Sequence, residues 1–155
     1  MASKMMLHRF THPDHHPGVQ FTVVAVVAIG GAAGAAARHG VELLRPTGPV
    51  AFPWTILLIN VVGCFLMGVL MVTVKLRFPG APRLISPLLG TGVLGGFTSF
   101  SHYTDDVRRL FEAGRPGYAI GCLLLTVVAA LAAVTVGALG THLAFGGGRR
   151  TSDRG

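Results

Sequence analysis

The sequence predicts an all-α membrane protein with four transmembrane helices, of which the third is broken at mid-membrane. Charged residues make up 12% of the chain, whereas an average soluble domain has about 25%. These charges leave four long stretches free, namely 21–37, 54–73, 84–103 and 117–148. Within the third stretch, residues 95–100 read Gly-Gly-Phe-Thr-Ser-Phe, and each glycine weakens a helix by about 1 kcal/mol relative to alanine.

Each charge-free stretch is near or above the roughly 17–25 residues that cross a bilayer. We therefore predict helices over about 20–44, 54–74, 84–110 and 117–145. A soluble helical bundle is disfavoured because residues 21–37 and 123–139 have no polar face at helical spacing. Backbone groups released by a break in the third helix must be satisfied inside the protein, which makes the break a candidate ion or substrate site.

The ends of the chain are predicted to be disordered tails, over 1–18 and 146–155, around one transmembrane domain at 19–145. The first tail carries four histidines, so a metal site there is a weaker alternative. A signal peptide is a second alternative, because residues 19–29 resemble the apolar region of such a peptide.

The net charge of +7 is expected to face lipid headgroups rather than nucleic acid. Four spans place eight basic residues on the side of the termini and five on the other, a mild bias that favours cytoplasmic termini. Small-residue pairs, such as Gly30 with Gly34 and Gly117 with Gly121, let helix backbones approach closely. We expect an oligomer, most simply a dimer. Cys64 and Cys122 both lie within spans, where packing is a better interpretation than a disulfide.

Polar residues inside the spans are the candidates for function, because such groups are costly in a bilayer. Sequence inspection shows neither a pair of buried carboxylates nor a Cys/His cluster at metal spacing, so we do not expect an enzyme. His102 adjoins Ser99 and Ser101 only in sequence, which does not make a catalytic triad. A broken helix can attract an anion with its free N–H groups or a cation with its free carbonyls, and both alternatives stay open on these residues alone.

Three segments, in order and in register, resemble the Fluc (CrcB-type) fluoride ion channel family. The first is Gly30-Gly-Ala-Ala-Gly-Ala-Ala-Ala-Arg38, similar to a glycine-rich first span that ends in arginine. The second is Asn60-Val-Val-Gly-Cys-Phe-Leu-Met-Gly68, similar to an Asn-x-x-Gly-x-Phe motif. The third is Gly92-Val-Leu-Gly-Gly-Phe-Thr-Ser-Phe-Ser101, close to the Gly-x-x-Gly-Gly-x-Thr-Thr-Phe-Ser signature of the family.

The resemblance implies an antiparallel dual-topology dimer with two pores. It also implies a structural Na⁺ at the dimer interface, held by the backbone carbonyls of Gly95 and Thr98 from each copy. The ion pathway that it implies consists of Asn60, Phe100, Tyr103, Tyr118, Cys122 and Thr126. Vestibule or structural roles fall to Arg38, Ser99, Ser101 and Asp106.

The chain departs from the family pattern at a few of these positions. Tyr103 stands where the family has a second phenylalanine, Cys122 replaces a serine, Ser99 replaces a threonine, and His102 replaces a small hydroxyl residue. The function expected from the resemblance is passive fluoride efflux across the cytoplasmic membrane. The alternatives are a small dual-topology exporter of cations or drugs, and a non-conducting subunit that pairs with an oppositely oriented paralogue.

Overall fold

The protein is all-helical over the residues that the computed structural model describes, which are 17–48, 51–78, 80 and 82–146. Helix α1 spans Pro17–Leu44, α2 spans Trp54–Arg77, and α5 spans Pro116–Gly146. Their length and composition would let each of them cross a membrane, α1 from Gly18 onward. The predicted tails lie outside the described residues, except that Pro17, Gly18 and Gly146 are helical.

The predicted third span is assembled from three pieces instead of one helix. A π-helical segment covers Pro87–Leu94, α3 covers Gly95–Phe97, and α4 covers Phe100–Glu112. Thr98 and Ser99 connect α3 to α4 in extended conformation, with ψ of 152° and 111°. Gly95 and Gly96 are themselves helical, so the interruption lies just after the two glycines from which it was predicted.

Close helix contacts explain why glycine is needed at several positions. Helix α1 packs against the π-helical segment and α3, where a methyl group on Gly34 would overlap the carbonyl of Val93. Gly96 faces the backbone of Gly31 in the same way. The pair Gly117 and Gly121 behaves differently, because a methyl group on either glycine meets open space.

The second half of the bundle packs α2 along α5, with α4 against the start of α5. Buried side chains from these three helices form one core, consisting of Ile56, Ile59, Tyr103, Val107, Leu110, Ala119 and Cys122. Many large apolar side chains elsewhere are exposed on the isolated chain. A membrane protein presents such surface to lipid or to a second subunit, since neither penalises apolar exposure.

Candidate functional site

Asn60 holds the interruption between α3 and α4 in place. Its Oδ1 accepts a hydrogen bond from the Ser99 N–H at 2.9 Å, and its Nδ2 donates to the Ser99 carbonyl at 3.3 Å. The two residues are 8% and 7% exposed. A buried residue in extended conformation has no helical partners for its backbone, so one amide side chain satisfies both of its groups.

Ser99 also begins the helix that follows. Its Oγ accepts from the backbone N–H of His102 at 3.1 Å, the interaction expected of a serine at a helix N-cap. The same oxygen lies 2.9 Å from His102 Nδ1 and 3.3 Å from the hydroxyl of Ser101. The three residues that looked like an incomplete triad therefore form a capping network.

Arg38 connects the end of α1 to this network. One guanidinium nitrogen lies 3.0 Å from His102 Nδ1 and 3.1 Å from Glu42 Oε1. Because a guanidinium only donates, the facing ring nitrogen of His102 accepts. His102 stands where the family pattern has a small hydroxyl residue. It thus supplies a contact between α1 and α4 that such a residue would be too short to make.

The extended residue Thr98 lies on the other side of the interruption. Its hydroxyl donates to the carbonyl oxygens of Leu94 at 3.1 Å and Gly95 at 3.4 Å. Its methyl group packs so close to Gly63 that no side chain fits there. Gly95 is exposed and Thr98 is half-buried on the isolated chain.

A cavity of about 200 Å³ opens between α2, α4 and α5 beside the interruption. It brings together four of the six residues predicted for the ion pathway and also Thr98. The lining residues are Asn60, Cys64, Thr98, Phe100, Tyr103, Thr126, Val127 and Ala130. Cys64 was missed as a site residue, although its position one helical turn after Asn60 could have suggested it.

Tyr103 fits into this wall without presenting its hydroxyl to the cavity. The hydroxyl donates to the Leu123 carbonyl of α5 at 2.8 Å. The ring lies at 5.7 Å from the ring of Phe100, with a tilt of 52° between their planes. Phe100 is 78% exposed, and tilted aromatic pairs present electropositive ring edges to their surroundings. The tyrosine therefore keeps the aromatic pair that the family pattern calls for.

The three predicted pathway residues on α5, which are Tyr118, Cys122 and Thr126, lie in three different environments. Tyr118 is exposed, with the Arg115 guanidinium 5.2 Å from its ring centre. Cys122 is 1% exposed and belongs to the packed core. Thr126 lines the cavity, and its buried hydroxyl makes no hydrogen bond of normal geometry within the described residues. Tyr118 and Cys122 are not among the residues that line this cavity.

A second, polar cavity of about 140 Å³ lies at the end of the bundle near His102. Charged side chains of both signs line it, including Asp106, which the sequence predicted for a vestibule. Its walls consist of Glu42, Arg45, Thr47, Thr55, Ile56, His102, Asp105, Asp106 and Arg109. Asp105 pairs with Arg108 at 2.7 Å and with Arg109 at 2.8 Å. The part of the chain that the structure describes has no cluster of three or more His, Cys, Asp or Glu side chains that could hold a metal.

Residues 25–138 match the family described as "CrcB-like protein, Camphor Resistance (CrcB)". A protein of Streptomyces avermitilis named "Fluoride-specific ion channel FluC 2" is 51% identical over 108 residues, which are 70% of this chain and 68% of that protein. "Fluoride-specific ion channel FluC 1" of Streptomyces coelicolor is 50% identical over 77% of each chain. A FluC 2 of Nocardia farcinica is 40% identical over 89% of this chain and 98% of that protein.

Proposed function

The chain belongs to the CrcB-like family, and we propose that it is a fluoride-specific ion channel for passive fluoride efflux across the cytoplasmic membrane. It is a multi-pass membrane protein and a transporter rather than an enzyme. Similarity to several fluoride-specific channels at 40–51% identity supports the substrate and argues against the exporter alternative.

The observation that carries this proposal is the cavity beside Thr98 and Ser99. A strongly hydrated anion gives up water only where donors and positive edges replace it. The residues Asn60, Phe100, Tyr103 and Thr126, which carry an amide, two aromatic rings and a hydroxyl, all line this cavity. An inside-negative potential then drives the anion outward by about 2.3 kcal/mol per charge per 100 mV, without a nucleotide or a titrating carboxylate.

The functional unit in this proposal is an antiparallel dual-topology dimer with two pores. Phe100 is 78% exposed on a single chain, beside a cavity that is open on one side. A second copy that covers this face would shield the interruption, which lies at mid-membrane in this arrangement, from lipid. Shielding is required because irregular backbone at membrane depth is tolerated only inside protein or along a water-filled path.

The Na⁺ that the family resemblance implies fits the residues at the interruption. Gly95 is exposed and Thr98 is half-buried on the isolated chain, and the Thr98 hydroxyl lies 3.4 Å from the Gly95 carbonyl oxygen. Hard cations prefer oxygen ligands of this kind. Gly95 and Thr98 of two copies would hold the ion, which supplies positive charge against the carbonyl dipoles.

Growth under fluoride stress tests the proposed function in cells. Bacteria that lack their own fluoride channel should grow on fluoride when they express this chain, and the Phe100→Ile variant at equal membrane abundance should not rescue them. Equal growth with the variant would contradict the assignment of the pathway.

Orientation separates a homodimer from a pair with a paralogue. Reporters fused to the C-terminus should be active on both sides of the membrane if the chain has dual topology. Activity on one side only would support the hetero-pair instead.

A further inference from the structure

The first turn of α4 carries a titratable side chain that the pathway proposed above does not use, the imidazole of His102. One guanidinium nitrogen of Arg38 lies 3.0 Å from its Nδ1 and 3.3 Å from its Nε2, so the cation faces the ring close to both nitrogens. Nδ1 also lies 2.9 Å from the Ser99 hydroxyl oxygen. The residue is exposed on the isolated chain and lines the polar cavity at the end of the bundle, so protons from water can reach the ring.

The two neighbours of the ring respond differently to its protonation. A hydroxyl both donates and accepts, so Ser99 can bond to Nδ1 of a neutral or of a protonated ring. The Arg38 guanidinium is a permanent cation that only donates. A neutral imidazole offers it a lone pair and an electron-rich face, whereas an imidazolium offers only N–H groups and a positive charge. Protonation of His102 therefore removes the Arg38 contact and keeps the Ser99 contact.

Arg38 has a second partner that holds it on its own helix. The same guanidinium nitrogen lies 3.1 Å from Glu42 Oε1, one turn later on α1. When the ring is protonated, Arg38 can stay with Glu42 and leave His102. The backbones of α1 and α4 do not approach each other closely over the described residues, so side-chain contacts such as Arg38–His102 join these two helices.

Charged groups of both signs surround the ring, and their formal charges cancel. Helix α2 contributes the uncharged side chains of Thr55 and Ile56 to the polar cavity. The charged side chains that line this cavity with His102 are Glu42 of α1, Arg45 directly after it, and Asp105, Asp106 and Arg109 of α4. With Arg38 added, three are acidic and three are basic. A proton on His102 therefore adds a charge that these neighbours do not balance, about 3 Å from a cation.

We propose that the Arg38–His102 contact is a pH switch for the fluoride path, closed while the ring is neutral and broken when the ring is protonated. The inference rests on the proposed channel function and adds a regulation of the same site that neither the motifs nor the comparisons assign. It uses a residue at which this chain departs from the family pattern, since a small hydroxyl residue does not titrate.

The contact affects the path because Phe100 lies in the same helical turn. Ser99 caps this turn, and Asn60 holds Ser99 from the side of α2 through two hydrogen bonds. Arg38 holds the turn from the side of α1. A turn released from α1 no longer fixes the Phe100 ring edge, and a strongly hydrated anion then loses a positioned group where it must shed water. Fluoride efflux should therefore fall as the pH falls.

The test compares wild type, His102→Gln and His39→Gln, each purified at full length and reconstituted in liposomes. Glutamine keeps an acceptor for Arg38 but does not titrate. His39 is the matched control, because it follows Arg38 on α1, is 68% exposed and lies 3.8 Å from Glu42. Efflux is measured with the same pH on both sides, because the proposed dimer exposes one copy to each side. The leak from protein-free liposomes is subtracted at each pH, because fluoride also crosses lipid as its neutral acid.

The expected result is a pH response that depends on His102. An ordinary histidine changes from mostly neutral to mostly protonated between about pH 7.5 and about pH 5.5, so efflux should fall about fivefold or more in wild type and in His39→Gln. Efflux of His102→Gln should change by less than about twofold over the same range. His102→Ser, which restores the small hydroxyl of the family pattern, should be equally insensitive and gives a second variant for the comparison.

The outcomes separate this inference from the function beneath it. Wild-type efflux that does not fall with pH, or that falls equally in His102→Gln and His102→Ser, overturns the pH switch and leaves the channel function standing. A response that is lost in His39→Gln and kept in both His102 variants also overturns it. Wild type without fluoride efflux at about pH 7.5 contradicts the proposed function itself.

Discussion

Replacing Asn60 with alanine is expected to destabilise the junction between α3 and α4 and to stop conduction. The substitution removes the acceptor for the Ser99 N–H at 2.9 Å and the donor to the Ser99 carbonyl at 3.3 Å. Ser99 is 7% exposed, so water does not readily replace either partner. A buried polar group left without a partner costs about 1–3 kcal/mol, which gives about 2–6 kcal/mol for the pair.

Thermal denaturation of the purified channel in detergent measures this loss. Each kcal/mol lowers Tm by roughly 2–4 °C for a chain of this size, so Asn60→Ala should lower it by roughly 4–24 °C. Thr135→Ala is the matched control, because its exposed hydroxyl bonds only the Leu131 carbonyl one turn earlier on α5. If Asn60→Ala melted within about 2 °C of wild type, the two hydrogen bonds of Asn60 would not stabilise the junction between α3 and α4, and the reasoning would be refuted.

Three further substitutions test other parts of the structure. Phe100→Ile should abolish fluoride efflux while leaving the wild-type elution volume in size-exclusion chromatography unchanged, because it removes the aromatic edge without adding charge; wild-type efflux would exclude Phe100 from the path. Tyr103→Phe should lower stability by about 0.5–1.5 kcal/mol, since the hydrogen bond to the Leu123 carbonyl is lost, and should keep fluoride efflux because the ring remains. Gly68→Ala should lower Tm and the yield of folded protein, because its methyl group would overlap an α5 carbonyl, whereas Gly121→Ala meets open space; equal melting of both variants would contradict the close approach of α2 and α5.

The three long helices α1, α2 and α5 could be predicted from the sequence because each contains a long stretch without charge. The predicted bounds differ from those observed by a few residues, and α1 starts at Pro17 instead of about residue 20. Proline is well suited to the first turn of a helix, where its missing N–H leaves no intrahelical bond unmade, so the helix extends into the segment assigned to a tail.

The position of the interruption could be predicted only approximately. Gly95 and Gly96 suggested it, yet both are helical, because a helical glycine costs only about 1 kcal/mol and Gly96 allows the close approach of Gly31. The extended conformation of Ser99 depends on Asn60, which lies 39 residues earlier in the chain. Such a long-range partner has no local signal in the sequence.

The faces of α2 and α5 that form the cavity also could not be read from periodicity alone. Helical spacing places Tyr118, Cys122 and Thr126 on one side of α5. Along that side the neighbours change from open surface to the core and then to the cavity, because α4 covers only part of α5. Cys64 was interpreted as a packing residue and not as a cavity residue, because a cysteine in an apolar span is usually a packing residue.

Fluoride efflux from liposomes that contain only this chain is the most direct test of the central claim. With an electrode outside the vesicles and a potassium ionophore to compensate charge, fluoride should leave the vesicles rapidly, and chloride loaded in the same way should not. Fluoride retention, or equal efflux of chloride, would contradict the account of a fluoride-specific path past Asn60, Phe100 and Thr126.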